Sequence, residues 1–238
     1  MNKLALFILI LCFYSCQKEC LQKLGEQAEQ RIELGNIESL RIEGRIKVTL
    51  REDSLAFIKL IGQKAFFENI QVEENAETLK VYLDQSCGLL NHPDQIPEIE
   101  LSLPQLNHIY FAATAELNCI DTLRRDSFKI ECWNSSGNID LLLNTALLRC
   151  ENHIGPSDIR ISGKSDLNYI FSGDIGFLFL EELEASGVYL NHSGYGEVHI
   201  KAKTLLEAEL NASGDLFYYG SPQSLKLVEN DISEAVLR

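Results

Sequence analysis

The chain has 238 residues, of which 45% are hydrophobic and 24% are charged, a composition typical of a globular protein with a sizeable core. Its 35 acidic residues outnumber the 21 lysines and arginines, which gives a formal net charge of −14. Such a composition argues against disorder, and because the negative field repels phosphate backbones it also argues against a nucleic-acid partner.

The amino terminus predicts export and lipid attachment. Lys3 forms a short basic segment, residues 4–11 are an unbroken apolar run, and a small residue directly precedes Cys16. This order is typical of a signal peptide, and the apolar run is shorter than the ~20 residues that span a bilayer. We therefore predict that residues 1–15 are a lipoprotein signal peptide and that Cys16 is lipidated, so that the lipid anchors the protein to a membrane.

The residues after Cys16 bear on where the protein is displayed. Gln17, Lys18 and Glu19 resemble the surface-export signal of Bacteroidetes-type lipoproteins, in which a lysine is followed by acidic residues. We expect an outer membrane lipoprotein, facing either the periplasm or the cell surface. Residues 16–35 are polar and weakly helical, which predicts a lipidated tether that lifts the folded domain off the membrane.

The cysteines that remain are odd in number. Removal of the signal peptide deletes Cys12, and lipidation of Cys16 leaves five others: Cys20, Cys87, Cys119, Cys132 and Cys150. In an oxidising envelope at least one thiol then stays free or bonds to another molecule. Cys20 and Cys87 lie in polar, loop-like segments, and we predict that they form a disulfide. Cys132 and Cys150 fall at equivalent repeat positions that suit small buried side chains, and the sequence leaves open whether they are free or bonded.

A four-residue motif recurs in the carboxy-terminal half, at steps of 18 to 21 residues. It lies at residues 134–137, 152–155, 170–173, 191–194, 211–214 and 230–233. Its first residue is asparagine at Asn134, Asn152, Asn191, Asn211 and Asn230, and its last is glycine at Gly137, Gly155, Gly173, Gly194 and Gly214. Each motif is followed by a short run of alternating apolar and polar residues, which is typical of a strand with one buried face.

These features predict an all-β fold, namely a right-handed parallel β-helix (β-solenoid) with coils of about 18–21 residues. Equivalent residues of stacked coils lie ~4.8 Å apart, so the asparagines are expected to form a ladder at the corners. The glycines are expected to supply a positive φ at the same corners. Residues 36–238 form a single solenoid domain in this interpretation, with irregular early strands serving as its cap.

Other residues resemble the auto-transporter adhesin head domain, also called the GIN domain. Pro104, Leu106 and Ile109 match its Pro-x-Leu-x-x-Ile segment, and Tyr218, Gly220 and Pro222 match its Tyr-x-Gly-x-Pro close. Ser-Gly corners recur at Ser136, Ser172, Ser193 and Ser213. The resemblance covers roughly residues 40–225 and departs from the family at residues 112–115, where Ala-Ala-Thr-Ala replaces a glycine-rich corner. It implies adhesion by the family name, and similar lipoproteins tend to carry cysteines placed like Cys20 and Cys87.

The motifs of three common enzyme classes are absent from the sequence. The chain lacks Gly-x-Ser-x-Gly, Gly-x-x-x-x-Gly-Lys and His-Glu-x-x-His, and we predict no catalytic residue, no cofactor and no metal. His153 and His192 follow corner asparagines and are expected to be exposed. Carboxylates follow every corner, at Asp140, Asp158, Asp174, Glu197, Asp215 and Glu234. We interpret them as solvated turn residues, with a calcium-binding stripe as the alternative.

Aromatic residues are concentrated in the last three coils. Phe177 and Phe179 are expected in the core, whereas Tyr189, Tyr195 and Tyr219 are candidates for an exposed ligand surface. We therefore predict a membrane-anchored, extracytoplasmic binding or adhesion module for a glycan or protein ligand. The alternatives are a carbohydrate-active enzyme, either lyase or hydrolase, and a non-catalytic structural protein of the envelope.

Overall fold

The computed structural model describes residues 26–83 and 96–238. These two ranges contain seventeen β-strands and one four-residue helix, α1 (Lys64–Phe67). The strands before the regular repeat are β1 (Gln27–Glu33), β2 (Ser39–Gly44), β3 (Lys47–Arg51), β4 (Phe57–Gln63), β5 (Ile70–Asn75), β6 (Thr78–Leu83), β7 (Glu98–Ser102), β8 (His108–Ala113) and β9 (Leu117–Cys119). Those of the repeat are β10 (Leu123–Trp133), β11 (Ile139–Ile154), β12 (Ile159–Ser172), β13 (Leu178–His192), β14 (Val198–Leu210), β15 (Leu216–Tyr219), β16 (Ser224–Glu229) and β17 (Ala235–Leu237).

The strands stack into two walls of a solenoid. Wall A consists of β6, β2, β8, the second half of β10, the second halves of β11 to β14, and β16. Wall B consists of β4, β7, β3, β9, the first halves of β11 to β14, and β15 and β17. Each long strand therefore contributes to both walls of its coil.

A break in the alternation of buried side chains bends each long strand from wall B into wall A. In β11, burial alternates from Ile139 through Thr145 and resumes at Leu148. Between them, the adjacent residues Ala146 and Leu147 both lie outside the core. Because neighbouring residues of a straight strand point to opposite faces, this pair marks a bend. The two halves of the strand thus face each other across one core.

Columns of apolar side chains fill that core. Ile139, Ile159, Leu178, Val198 and Leu216 lie in register in five successive coils, and each is almost fully buried. Burial of one such side chain contributes ~1.5–3 kcal/mol. A short alternating run in every coil is therefore sufficient to build a continuous core along the solenoid.

These observations confirm the predicted all-β β-solenoid, which has about six turns. Offsets between paired residues of neighbouring coils in wall A, from β8 onward, range from 18 to 21 residues, as the motif spacing predicts. Antiparallel strands close the amino-terminal end, where β1 pairs with β4, β4 with β7 and β5 with β6. Residues 27–33, assigned above to the tether, form β1 in this cap. In the described part of the chain, no helix is long and apolar enough to cross a membrane.

Candidate functional site

The corners contain a partial asparagine ladder. The side-chain amide of Asn211 donates to Oδ1 of Asn191 at 3.3 Å, and that of Asn230 donates to Oδ1 of Asn211 at 2.7 Å. Asn152 instead points into the interior, where its amide donates to a backbone carbonyl at 3.1 Å. Asn134 adopts a positive φ of 50° at its corner. The structure thus brings three of the five asparagines together, all in the last three coils.

Close approach between coils, more than backbone conformation, explains the corner glycines. Only Gly155 among the five has a positive φ, of 116°. A Cβ on Gly194 would lie 2.3 Å from the carbonyl oxygen of Asp174, far inside van der Waals contact. Gly137 and Gly155 meet backbone carbonyls of the preceding coil in the same way, and Gly173 and Gly214 meet the rings of Phe171 and His192. At every one of these corners except that of Gly173, a Cβ would come within 2.5 Å of a backbone carbonyl oxygen and push the stacked corners apart.

Carboxylates at the corners accept hydrogen bonds from amides of neighbouring coils. Asp158 accepts from the Phe177 amide at 3.0 Å, and Asp215 accepts from the Glu234 amide at 2.9 Å. Asp174 accepts from the amide of Gly155 at 2.7 Å. Within residues 26–83 and 96–238, no three His, Cys, Asp or Glu side chains are placed to hold a metal ion. Asp158, Asp174 and Asp215 thus bind backbone amides at the turns.

The buried thiols belong to the core. Cys132 and Cys150 are free and fully buried, and burial raises the pKa of the Cys150 thiol to about 12. Burial likewise raises the pKa of Cys132 well above its ordinary value. Cys16, Cys20 and Cys87 lie outside the described residues, so the lipidation site and the disulfide stay predictions.

His192 is buried, and the prediction that it is exposed is wrong. It occupies the inward column that Ser172 and Asn152 fill in the two preceding coils. Burial lowers the pKa of His192, although backbone hydrogen bonds partly oppose this shift. The neighbouring Asn191 points outward, so the motif's second residue, not its first, faces the core in this coil.

The outer face of wall A carries a column of side chains in register. Arg149, Tyr169, Tyr189 and Glu207 follow one another at one-coil steps. The rings of Tyr169 and Tyr189 stack with centroids 5.1 Å apart and planes 10° apart. The Arg149 guanidinium carbon lies 5.1 Å from the Tyr169 centroid. The column therefore begins with a cation over a ring and continues as an aromatic stack.

A groove of about 270 Å³, the wall A groove, runs alongside this stack and past its last ring. Tyr169 and Tyr189 line it together with Asn191, Glu207 and Glu209. Lys226 borders the same groove, and its Nζ lies 3.7 Å from Oε2 of Glu207. Aromatic surface with a few converging polar groups is typical of small-molecule sites. We therefore take the wall A groove as the candidate functional site.

A second aromatic column lies on the outer face of wall B. Phe179, His199 and Phe217 follow in register, with successive ring centroids 5.3 and 4.8 Å apart. The guanidinium carbons of Arg160 and Arg238 each lie 4.8 Å from a ring centroid, over Phe179 and Phe217 respectively. A cation thus closes each end of this column.

Comparison with known proteins identifies the family. Residues 36–222 match the family model described as "Putative auto-transporter adhesin, head GIN domain". The chain belongs to this GIN-domain family. No curated protein sequence matches it.

Solved structures share the fold of this GIN-domain protein. One, from Bacteroides fragilis NCTC 9343 and titled a "putative adhesin", has a TM-score of 0.82 at 19% identity, covering 90% of this chain and 97% of its own. A "putative lipid binding protein" from Parabacteroides distasonis ATCC 8503 has a TM-score of 0.69 at 16% identity, covering 89% and 97%. A "putative adhesin" from Parabacteroides merdae ATCC 43184 has a TM-score of 0.63 at 16% identity, with the same coverage. At these identities the likeness establishes the fold alone.

The three candidate surface tyrosines of the GIN domain lie in separate places. Tyr189 lines the wall A groove, and Tyr195 is 66% exposed on a corner. Tyr219 lies on wall B, with its hydroxyl oxygen 3.4 Å from Nδ1 of His199. The structure therefore does not bring them together into one surface.

The expectation that Phe177 and Phe179 lie in the core is wrong. They stack on the outer face of wall B, with centroids 6.0 Å apart, while Leu178 and Leu180 are buried. All four residues are apolar, so alternation alone does not show which pair faces inward. The sequence does not indicate Glu207 and Glu209 as groove residues either, because their place beside Tyr189 and Asn191 depends on the pairing of β13 with β14.

Proposed function

We propose that this GIN-domain protein is a lipid-anchored binding module of the cell envelope that presents the wall A groove to a glycan. The observation that carries the proposal is the end of the tyrosine stack, where Tyr189, Asn191 and two carboxylates border one groove. An aromatic side chain offers a broad apolar surface to a sugar ring, and amide and carboxylate groups can hydrogen-bond its hydroxyls.

The scaffold supports a binding role because it fixes these side chains in advance. Tyr189 lies on β13, which pairs along its length with β12 on one side and β14 on the other. Stacking against Tyr169 further restricts the ring. A ligand then binds without paying to order the site, which favours affinity.

The envelope location rests on Cys16 and on the family. The family name and the titles of two structural neighbours refer to adhesins, which act outside the cytoplasm. Cells that make the full chain or Cys16→Ala can be fed an alkyne analogue of palmitate. We expect label and membrane association only with the unaltered cysteine, and equal labelling of both chains would refute the anchor.

Two further experiments address display and the tether. Protease treatment of intact cells should remove a surface-displayed domain, whereas protection until the outer membrane is opened would place it in the periplasm.

We propose that Cys20 and Cys87 form a disulfide that ties the tether to the domain. A non-reduced peptide map that lacks the Cys20 and Cys87 cross-link would refute it.

Glycan binding can be tested with the full chain purified in detergent. On an array of envelope and dietary polysaccharides we expect at least one bound glycan, with about three- to tenfold weaker binding after Tyr189→Leu. Tyr195→Leu is the matched control, since that ring lies on a corner away from the groove. Absence of any bound glycan, or an equal loss in both variants, would count against the proposal. Capture of a protein with no glycan bound would favour the protein-ligand alternative.

One observation favours a second candidate, a carbohydrate-active enzyme. Glu207 and Glu209 are two residues apart on β14 and border the groove together with Lys226. Two carboxylates beside a sugar are the usual requirement for glycoside hydrolysis. Release of new reducing ends by the full chain, abolished by Glu207→Gln and Glu209→Gln, would support this activity. Binding without turnover would leave the binding module.

A further inference from the structure

Two of the aromatic columns, the Tyr169 column on wall A and the Phe179 column on wall B, differ at their ends. On wall B, Arg160 and Arg238 close both ends. On wall A, Arg149 closes one end over Tyr169, but the far face of Tyr189 meets no further ring or cation of the described residues. The wall A groove runs along the stack and includes this uncapped end.

Carboxylates occupy the positions that follow this end of the column. Glu207 is in register with Tyr189, and Glu209 is in register with Asn191. The face of an aromatic ring is electronegative, so a carboxylate beside it is repelled, whereas a cation that lies near the ring and the carboxylate is attracted by both. The end of the stack is therefore a favourable place for a positively charged group.

Lys226 does not supply that group. It lies one coil beyond Glu207, its side chain is 64% exposed, and its Nζ approaches Glu207 at 3.7 Å without lying over the Tyr189 ring. An exposed ion pair of this kind contributes little and is easily displaced. A ligand cation can therefore compete with Lys226 for Glu207.

We propose that the wall A groove binds the protonated amino group of an unacetylated hexosamine beside the Tyr189 ring and the carboxylates of Glu207 and Glu209. This inference rests on the proposed glycan-binding function and specifies its ligand. The groove volume of about 270 Å³ lies near the lower end of the ~300–1,000 Å³ usual for small-molecule sites, which suits a single sugar unit. The net charge of −14 also attracts a cationic ligand.

The test compares three trisaccharides of the same backbone with the full chain in detergent: β-1,4-linked glucosamine, its fully N-acetylated form and the glucose equivalent. By calorimetry we expect the amine form to bind at least about tenfold more tightly than the other two. Glu207→Gln should remove most of this preference. Lys226→Met should strengthen amine binding about two- to threefold, because Glu207 loses its internal partner. Glu184→Gln, an exposed carboxylate away from the groove, is the matched control and should change nothing.

The outcomes separate this inference from the proposed function. Equal binding of all three trisaccharides, lost in Tyr189→Leu, would overturn the amine assignment and leave glycan binding intact. No binding of any glycan would overturn both. Binding of a lysine-rich peptide through Glu207, with every sugar ignored, would overturn the hexosamine assignment in favour of a protein ligand.

Discussion

Gly194→Ala tests whether contact between corners limits which residues the solenoid accepts. The new Cβ would lie 2.3 Å from the Asp174 carbonyl oxygen, whereas ordinary contact begins at 3.4 Å, so the corner must open by about 1 Å. The same carbonyl accepts a hydrogen bond from the Tyr195 amide at 2.9 Å, which such a shift would break. Overpacking costs ~1–3 kcal/mol and a lost hydrogen bond ~1 kcal/mol. We therefore expect the free energy of unfolding to fall by ~2–4 kcal/mol.

Gly187→Ala is the matched control for this prediction. Its Cβ would meet the end of the Leu167 side chain at 3.0 Å, and that methyl group can rotate away. We expect a change within ~1 kcal/mol, since strand interiors tolerate alanine in place of glycine. Urea unfolding of the full chain, followed by circular dichroism at pH 7.5, measures both variants. Equal midpoints for Gly194→Ala and Gly187→Ala would refute the argument that backbone contact selects glycine at the corners.

Three other predictions concern the interior, the ladder and the groove. Because burial lowers the pKa of His192, the unfolded chain takes up a proton before the folded chain does as the pH falls below ~6.5. The free energy of unfolding should therefore decrease from pH 7.5 to pH 5.5, and it should decrease less steeply in His192→Asn. An equal slope in both chains would contradict this. Asn211→Ala removes both hydrogen bonds of the corner ladder, and we expect the free energy of unfolding measured in urea to fall by ~1–2 kcal/mol. The exposed control Asn138→Ala should lower it by less than ~0.5 kcal/mol. Glu207→Tyr should add a third ring to the wall A stack, next to Lys226 in the following coil. We expect an unchanged or higher melting temperature and the loss of amine binding. A large loss of stability would show that the stack cannot be extended.

The fold could be predicted because its coils have almost constant length. Motif steps of 18 to 21 residues cover the same range as the offsets between paired strands of wall A, so the spacing indicates a parallel stack. The orientation of individual side chains could not be predicted as well. A shift of one residue in a strand exchanges inside and outside. Asn152 and Asn191 both begin a motif, yet only Asn152 faces the core, because each of the two coils between them advances by 20 residues whereas Asn191 follows Asn152 after only 39.

The candidate site was harder to predict because three coils build it. Tyr169 and Tyr189 are 20 residues apart, but Glu207 follows Tyr189 after only 18, owing to irregular pairing at the bend between β13 and β14. No local pattern in the sequence records that change. Tyr189 can be recognised in the sequence as an aromatic residue on a strand. The carboxylates next to it can be located only when the register between β13 and β14 is known.

The column arrangement also restricts where a solenoid of this kind can bind a ring-shaped ligand. Within a column, each ring stacks on its neighbour, so solvent reaches the ring edges but not the faces. A ligand can lie against a ring face only where the residue type changes along the column and the chain supplies no cap. On wall B, Arg238 provides that cap, whereas on wall A the column changes from Tyr189 to Glu207, and among the described residues no ring or cation lies over the far face of Tyr189. Affinity should therefore depend on the last ring of the column and on the first charged residue after it, and only weakly on the number of rings stacked behind them.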